Sequence, residues 1–178
     1  MSDIRERIEE DRGWLKKIQM LVPGFRGYRI KEDIRDADRM LRDQLVDKLV
    51  LLREDLENLR RTMPIKFNSK EPEQIGSLIN QYKTLESLIS HAAFGYSGIA
   101  ADIAIKEAEL DRLYEYDFRM FEDLDILKDA NGRVKTTTLS GDSLSAMNEI
   151  MNLRDSLNNF EADFKKRLDV IQDTVVSA

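Results

Sequence analysis

The sequence predicts an all-α protein, an antiparallel bundle of four long helices with a short helix before them, and three observations carry that expectation. Apolar residues return at alternating steps of three and four through almost the whole chain, as in Ile75, Leu78, Tyr82, Leu85, Ile89, Ala92, Tyr96, Ile99 and Ile103. Such a period lays one stripe of a helix against its neighbours. Charged residues make up 35% of the chain, enough to solvate the outer faces of long helices. Only three prolines and eight glycines are available to interrupt them. At 178 residues the chain is long enough to bury a hydrophobic core, so residues 1–178 read as a single helical-bundle domain.

The first helix is expected from about Asp3 to Leu21, with Ile4, Ile8, Leu15, Ile18 and Val22 on one stripe. Pro23 stops it, because the residue before a proline is pushed out of helical geometry, and Gly24 follows as a turn residue. A second helix starts between Tyr28 and Lys31 and ends near Met63, before Pro64. Its stripe is Ile34, Ala37, Leu41, Leu45, Leu49, Leu52, Leu56, Leu59 and Met63. The consecutive steps of four from Ala37 to Leu49 interrupt the heptad and locally relax a left-handed supercoil. Residues 64–71 read as a loop, after which Pro72 suits the first helical position, where its missing N–H costs nothing.

The segment from His91 to Asp102 admits two topologies. Gly95 can be the left-handed residue that ends a helix, with Ser97 capping the next, which makes a bundle. The apolar phase nevertheless passes Gly95 and Gly98 without a slip, so the alternative is an elongated coiled-coil rod with one helix from Pro72 to Asp129. That helix would have about 58 residues and a length of about 87 Å. The broken helix is the preferred reading. A further loop is expected over residues 130–138, with Ser140 capping the last helix and Leu139 and Leu144 forming a hydrophobic staple. The last helix carries Leu144, Met147, Ile150, Leu153, Leu157, Phe160, Phe164, Leu168, Ile171 and Val175.

Composition narrows the function classes. The absence of cysteine removes thiolate nucleophiles, disulfides and cysteine-based zinc sites together. His91 is the only histidine, and it falls on the face opposite the Ile75–Tyr96 stripe, as an exposed or loop-adjacent residue would. No glycine-rich phosphate loop is present, since Gly95-Tyr-Ser-Gly lacks both the spacing and the lysine. A net charge of −6 opposes general nucleic-acid binding, because a polyanion is repelled on average. The polar, acidic start of the chain does not read as a secretory signal, and a cytoplasmic location is the simplest expectation. No cofactor is expected.

Two constellations could still carry chemistry. With Ile103 at the centre of its face, Glu107 and Asp117 lie about 40° to either side, on the stripe made of Ile99, Leu110, Tyr114 and Phe121. A carboxylate facing a core must be paired, protonated or metal-bound. Glu107 and Asp117, with Asp111 nearby, are therefore candidates for a carboxylate metal site of the kind helical bundles build, or for an acid/base pair. The plainer alternative, and the preferred one, is a salt bridge to an arginine or lysine of another helix, or a side chain at the edge of the stripe. The second constellation runs from Trp14 to Lys31. There Lys16, Lys17, Arg26, Arg29 and Lys31 meet no acidic residue and alternate with Trp14, Phe25 and Tyr28. Basic and aromatic groups together can read anionic lipid headgroups, phosphates or an acidic partner. The plainer alternative, and the preferred one, packs the three aromatics into the joint between helices one and two while the cations face water. Lys165-Lys166-Arg167 reads as a solvated helix face, or as a partner for acids across the bundle.

Residues Leu21 to Arg42 resemble the opening of a group of bacterial and archaeal helical proteins of no known activity. In that group a Pro-Gly-aromatic-x-Gly-Tyr turn leads into a helix containing Ala-Asp-x-x-Leu-Arg. The matching positions are Pro23, Gly24, Phe25, Gly27, Tyr28, Ala37, Asp38, Leu41 and Arg42. The resemblance covers about 25 residues and implies that the turn is a packing or docking element, with no catalytic residue to transfer.

The expectation that follows is a non-enzymatic helical interaction or scaffold module that binds a protein partner or self-associates, as a homodimer for instance. The alternatives are a carboxylate-based metal-binding protein or metal-dependent hydrolase, and a peripheral membrane adaptor making weak anionic-surface contact through residues 14–31.

Overall fold

In a computed structural model of the chain, the described residues are 13, 15–25, 31–63, 70–92 and 107–176, with backbone alone described for 31–35, 107–111 and 172–176. All regular secondary structure among them is helical. The first helix, α1, takes in residues 13 and 15–21. It is followed by α2 (Lys31–Thr62), α3 (Lys70–Ser90), α4 (Glu107–Ser140) and α5 (Ser143–Val176). No helix of the described residues is long and apolar enough to cross a membrane. The all-α bundle expected from the periodicity is the fold observed.

The ends of the helices have local causes. Val22-Pro23-Gly24-Phe25 closes α1 in a turn in which the Phe25 N–H donates to the Val22 carbonyl at 3.1 Å. Proline at its second position and Gly24 at φ 84° make it a type II turn, a geometry that an L side chain at position 24 would strain. α2 ends at Thr62, before Pro64. α3 begins at Lys70, so Pro72 occupies the third helical position rather than the first. Its missing N–H is still one of the first-turn donors that no carbonyl of the helix could accept. α3 ends at Ser90, with His91 in a turn and its ring Nδ1 2.8 Å from the Ser87 carbonyl. The uninterrupted helix through residues 72–129 is therefore not formed, whereas the proposed roles of Gly95 and Ser97 lie outside the described residues.

The expected loop over residues 130–138 is not a loop. α4 continues to Ser140, and Ala130, Val134 and Thr138 are buried on the same stripe as Leu127. The run Thr136-Thr137-Thr138 is a weak helix former, but packing of this stripe outweighs propensity. The stop comes instead from Gly141 at φ 80°, whose N–H reaches the Thr138 carbonyl at 3.2 Å. Asp142, not Ser140, caps α5: its Oδ1 accepts from the backbone N–H of Leu144 at 3.2 Å and of Ser145 at 3.3 Å. The Ser145 hydroxyl donates to Asp142 Oδ2 at 2.5 Å, and these bonds hold the carboxyl below the usual carboxylate range. Leu139 and Leu144 are both more than half exposed and form no staple.

The chain groups into two compact units. The first draws on Met1–Gln44, Ala92–Phe121 and Asp163–Ala178, the second on Leu45–His91 and Glu122–Ala162. In the first, Ile18, Val22, Phe25, Leu41, Leu113, Phe121, Phe164 and Ile171 are buried apolar residues. Phe25 meets Tyr114 edge-on, with centroids 6.4 Å apart and planes at 73°.

The second unit is a four-helix bundle in which successive helices run antiparallel. Arg53 on α2 pairs with Glu86 of α3, while Glu57, one turn later, pairs with Lys83. Arg133 near the end of α4 meets Glu149 near the start of α5. Leu45, Leu49, Leu56, Ile75, Leu78, Leu85, Leu127, Ile150, Leu153, Leu157 and Phe160 fill its centre. Each side chain of this size stabilises by about 1.5–3 kcal/mol when withdrawn from water. One polar relay crosses that core: the Tyr82 hydroxyl donates to Asn131 Oδ1 at 3.0 Å, and Asn131 Nδ2 donates to the Leu52 carbonyl at 2.8 Å. Burial pushes the Tyr82 phenol far above its ordinary pKa, with Asp55 adding to the effect, so it remains a donor. At one end of the unit the Ser143 hydroxyl of α5 donates to the buried carboxylate of Glu71, in the first turn of α3.

Candidate functional site

Charge is buried most deeply in the first unit. Arg167 on α5 is fully buried and lies between two fully buried carboxylates. Its Nε donates to Asp117 Oδ1 of α4 at 2.6 Å, and its Nη1 donates to Asp38 Oδ1 of α2 at 2.7 Å. The other oxygen of Asp38 accepts from Arg42 Nε at 2.8 Å, one turn along α2 and 15% exposed. Two cations and two anions are thus paired with one another, three of the four at full burial. Only such pairing makes burial of the charges tolerable, since an isolated ion loses its hydration with nothing in return.

The cluster decides part of the carboxylate question. Asp117 does face the core, as its register requires, and it is engaged by a guanidinium from another helix. Glu107 and Asp111 lie in the first turns of α4, and their side chains are outside the described residues. Among the described residues no three His, Asp or Glu side chains are grouped as a metal ion would require.

Arg167 stands in the run Lys165-Lys166-Arg167, for which pairing with acids across the bundle is one of the two expectations, and that expectation holds at Arg167. Asp38 enters from the sequence only through the resemblance, although a signal for both exists. On α5 the seam Leu153, Leu157, Phe160, Phe164, Arg167, Ile171 keeps its alternation of four and three only if Arg167 is counted. Leu168, chosen as the apolar neighbour, is only half-buried. On α2, Asp38 stands three residues before Leu41 and shares the seam with Ala37. Charged residues of opposite sign at seam positions of three helices were the available clue.

The basic and aromatic segment divides. Phe25 is 3% exposed and belongs to the core, in keeping with the packing alternative given for it, with its ring edge-on to Tyr114. Lys16 and Lys17 are exposed, and Lys17 Nζ sits 5.0 Å from the Phe118 ring centre, a cation–π distance. The side chains of Trp14, Arg26, Tyr28, Arg29 and Lys31 lie outside the described residues.

The second unit presents two further surface features. An open groove of about 830 Å³ runs between the C-terminal end of α2 and α3, with Arg60, Arg61 and Lys83 facing Glu57 and Glu73 across Gly76, Ser77 and Asn80. On α5, Leu144 is 74% and Met151 57% exposed, with the half-buried Met147 between them on the same face. Leu144 was expected in the core; Ala146 takes that place, because the helix starts at Ser143 in a phase that turns Leu144 outward. No protein-family model, curated protein or solved structure matches the chain.

Proposed function

We propose that the protein is a non-enzymatic helical interaction module, and that the α5 face formed by Leu144, Met147 and Met151 is a docking surface. The observation that carries this reading is the spacing of the exposed residues. A single exposed leucine is ordinary. Three large apolar residues at positions i, i+3 and i+7 on one helix face are the pattern that a second amphipathic helix packs against. Covering Leu144 and Met151 would each contribute about 1.5–3 kcal/mol, and the flexible thioethers adapt to an uneven partner surface. The buried charges of the first unit support the same reading from another side, because Asp38, Asp117 and Arg167 are held against one another at full burial.

The partner to test first is a second copy of the chain. Sedimentation velocity of the wild type over a wide concentration range, beside a Leu144→Glu/Met151→Glu variant, reads it directly. Reversible association in the wild type that disappears in the variant, with an unchanged far-ultraviolet spectrum, is the expected outcome. A wild type that stays monomeric throughout and binds a hydrophobic dye no better than the variant would remove the support for the surface.

A further inference from the structure

The groove of the second unit holds a guanidinium laid flat against α3. A Cβ placed on Gly76 would lie 3.1 Å from Arg60 Cζ and 3.2 Å from both Nη1 and Nη2. Near-equal distances to those three atoms mean that the plane of the guanidinium lies face-on over the Gly76 backbone. A side chain at position 76 would press on the guanidinium and make it give by a few tenths of an ångström. One face of Arg60 is therefore rested on α3, and its N–H donors, which lie in the plane, point along the groove rather than into the helix.

Those donors are unspent. Among the described residues Arg60 makes no hydrogen bond and no ion pair, and the neighbouring Arg61 donates only to neutral oxygens, Asn58 Oδ1 at 2.5 Å and the Glu57 carbonyl at 3.4 Å. Lys83, on the α3 side, stands 3.5 Å from Glu57. That acid is already hydrogen-bonded by Arg53 at 2.7 Å, which holds its carboxyl below the usual range and keeps it ionised. Glu57 is thus shared by Arg53 and Lys83, and with Glu73 also on the wall the lining carries three cations against two carboxylates. The C-terminal end of α2 accounts for part of this, because its free carbonyls favour basic residues in the last turn. It does not account for a flat guanidinium seated on a buried glycine with its donor edge open. A fork of parallel N–H groups matches the oxygens of a phosphate, and a face already fixed by packing loses less freedom on binding than a mobile side chain does.

We propose that this groove binds a phosphate group, with Arg60 as the bidentate donor, Arg61 and Lys83 supplying further positive charge, and the Ser77 and Asn80 side chains completing the polar wall. Its volume of about 830 Å³ leaves room for an organic moiety beyond the phosphate itself.

The test is a titration of the full chain followed by nuclear magnetic resonance of the Arg60 Nε–H and the Gly76–Asn80 amides, at constant ionic strength. Inorganic phosphate, phenyl phosphate and vesicles containing phosphatidic acid are the three probes, with sodium chloride as reference. Saturable shifts confined to the groove are expected. Arg60→Gln should weaken them by about tenfold or more, and Gly76→Ala, which changes no charge and only shifts the guanidinium, by a smaller factor. Arg60→Lys, which keeps the charge and loses the fork, should fall between, and it carries the comparison if Gly76→Ala perturbs the fold. Tighter binding of phenyl phosphate than of inorganic phosphate would point to a small phosphomonoester. Arg60-dependent vesicle binding with weak response to the free anions would point to a lipid headgroup. Shifts that fail to saturate, that chloride reproduces, or that survive unchanged in Arg60→Gln would overturn the proposal.

Discussion

Replacing Arg167 by methionine keeps most of the volume of the side chain and removes the charge that joins Asp38 and Asp117. Both contacts are short, 2.6 and 2.7 Å, and all three side chains are fully buried, so solvent cannot substitute for the missing cation. Removing one partner of a buried ion pair costs about 3–5 kcal/mol. Counting instead two hydrogen bonds to charged groups, at about 1.5–3 kcal/mol each, gives a similar figure. Set against a total stability of about 5–15 kcal/mol, the loss is a large fraction. With a urea dependence of about 2 kcal/mol/M, the midpoint should fall by roughly 1.5–2.5 M. Urea unfolding followed by circular dichroism measures this, and amide exchange across residues 113–121 localises it. Asp117→Asn, which keeps an acceptor, should lose about 1.5–3 kcal/mol, and Arg42→Met, at the partly exposed edge, about 1 kcal/mol or less. Replacing Asp38, Asp117 and Arg167 together by leucine, leucine and methionine should recover much of the loss, because a buried cluster exchanged for apolar residues is often close to neutral. An Arg167→Met protein within about 0.5 kcal/mol of the wild type, the range of ordinary surface substitutions, would refute the assignment of these charges to a dry, mutually dependent cluster.

Two glycines should respond in opposite directions. Gly132 is helical, and a Cβ there meets nothing within 4 Å, so Gly132→Ala should stabilise by about 1 kcal/mol through the unfolded chain. Gly141 has φ 80°, and Gly141→Ala should destabilise by about 1–2 kcal/mol. Thermal melts that move the same way for both would contradict the helix boundary at Ser140. Asp142 has a folded pKa depressed by the Ser145 and Leu144 bonds, so its contribution is complete above the unfolded carboxylate pKa and is lost as pH falls through the folded value. Protection of the Leu144 and Ser145 amides, taken relative to their intrinsic exchange rates at each pH, should fall at acid pH in the wild type and show no such titration in Asp142→Asn. Equal pH dependence in both would exclude Asp142 as the cap.

Local patterning along the chain specifies the helices and the greater part of the core. Leu41, Leu45, Leu49, Leu56, Ile75, Leu78, Tyr82, Leu85, Ile150, Leu153, Leu157 and Phe160 could be named from spacing because water drives one stripe of every long helix inward, wherever its neighbour comes from. Proline and glycine marked the turn at Val22–Phe25 for an equally local reason. Misplaced boundaries were those where packing overrode propensity, as in the threonine run of α4, with the consequence that the cap moved from Ser140 to Asp142.

The tertiary structure decided which charges are inside. Periodicity weighs hydrophobicity, and a seam position filled by Arg167 or Asp38 looks like a gap in the stripe until an opposite charge from another helix is found against it. The same holds for the groove. Arg60 and Gly76 are sixteen residues apart on different helices, and only their juxtaposition turns an arginine at a helix end into a fixed donor edge. Stripes are properties of one helix and can be read from its residues, whereas pairs and grooves belong to two or three helices at once and exist only after they have packed.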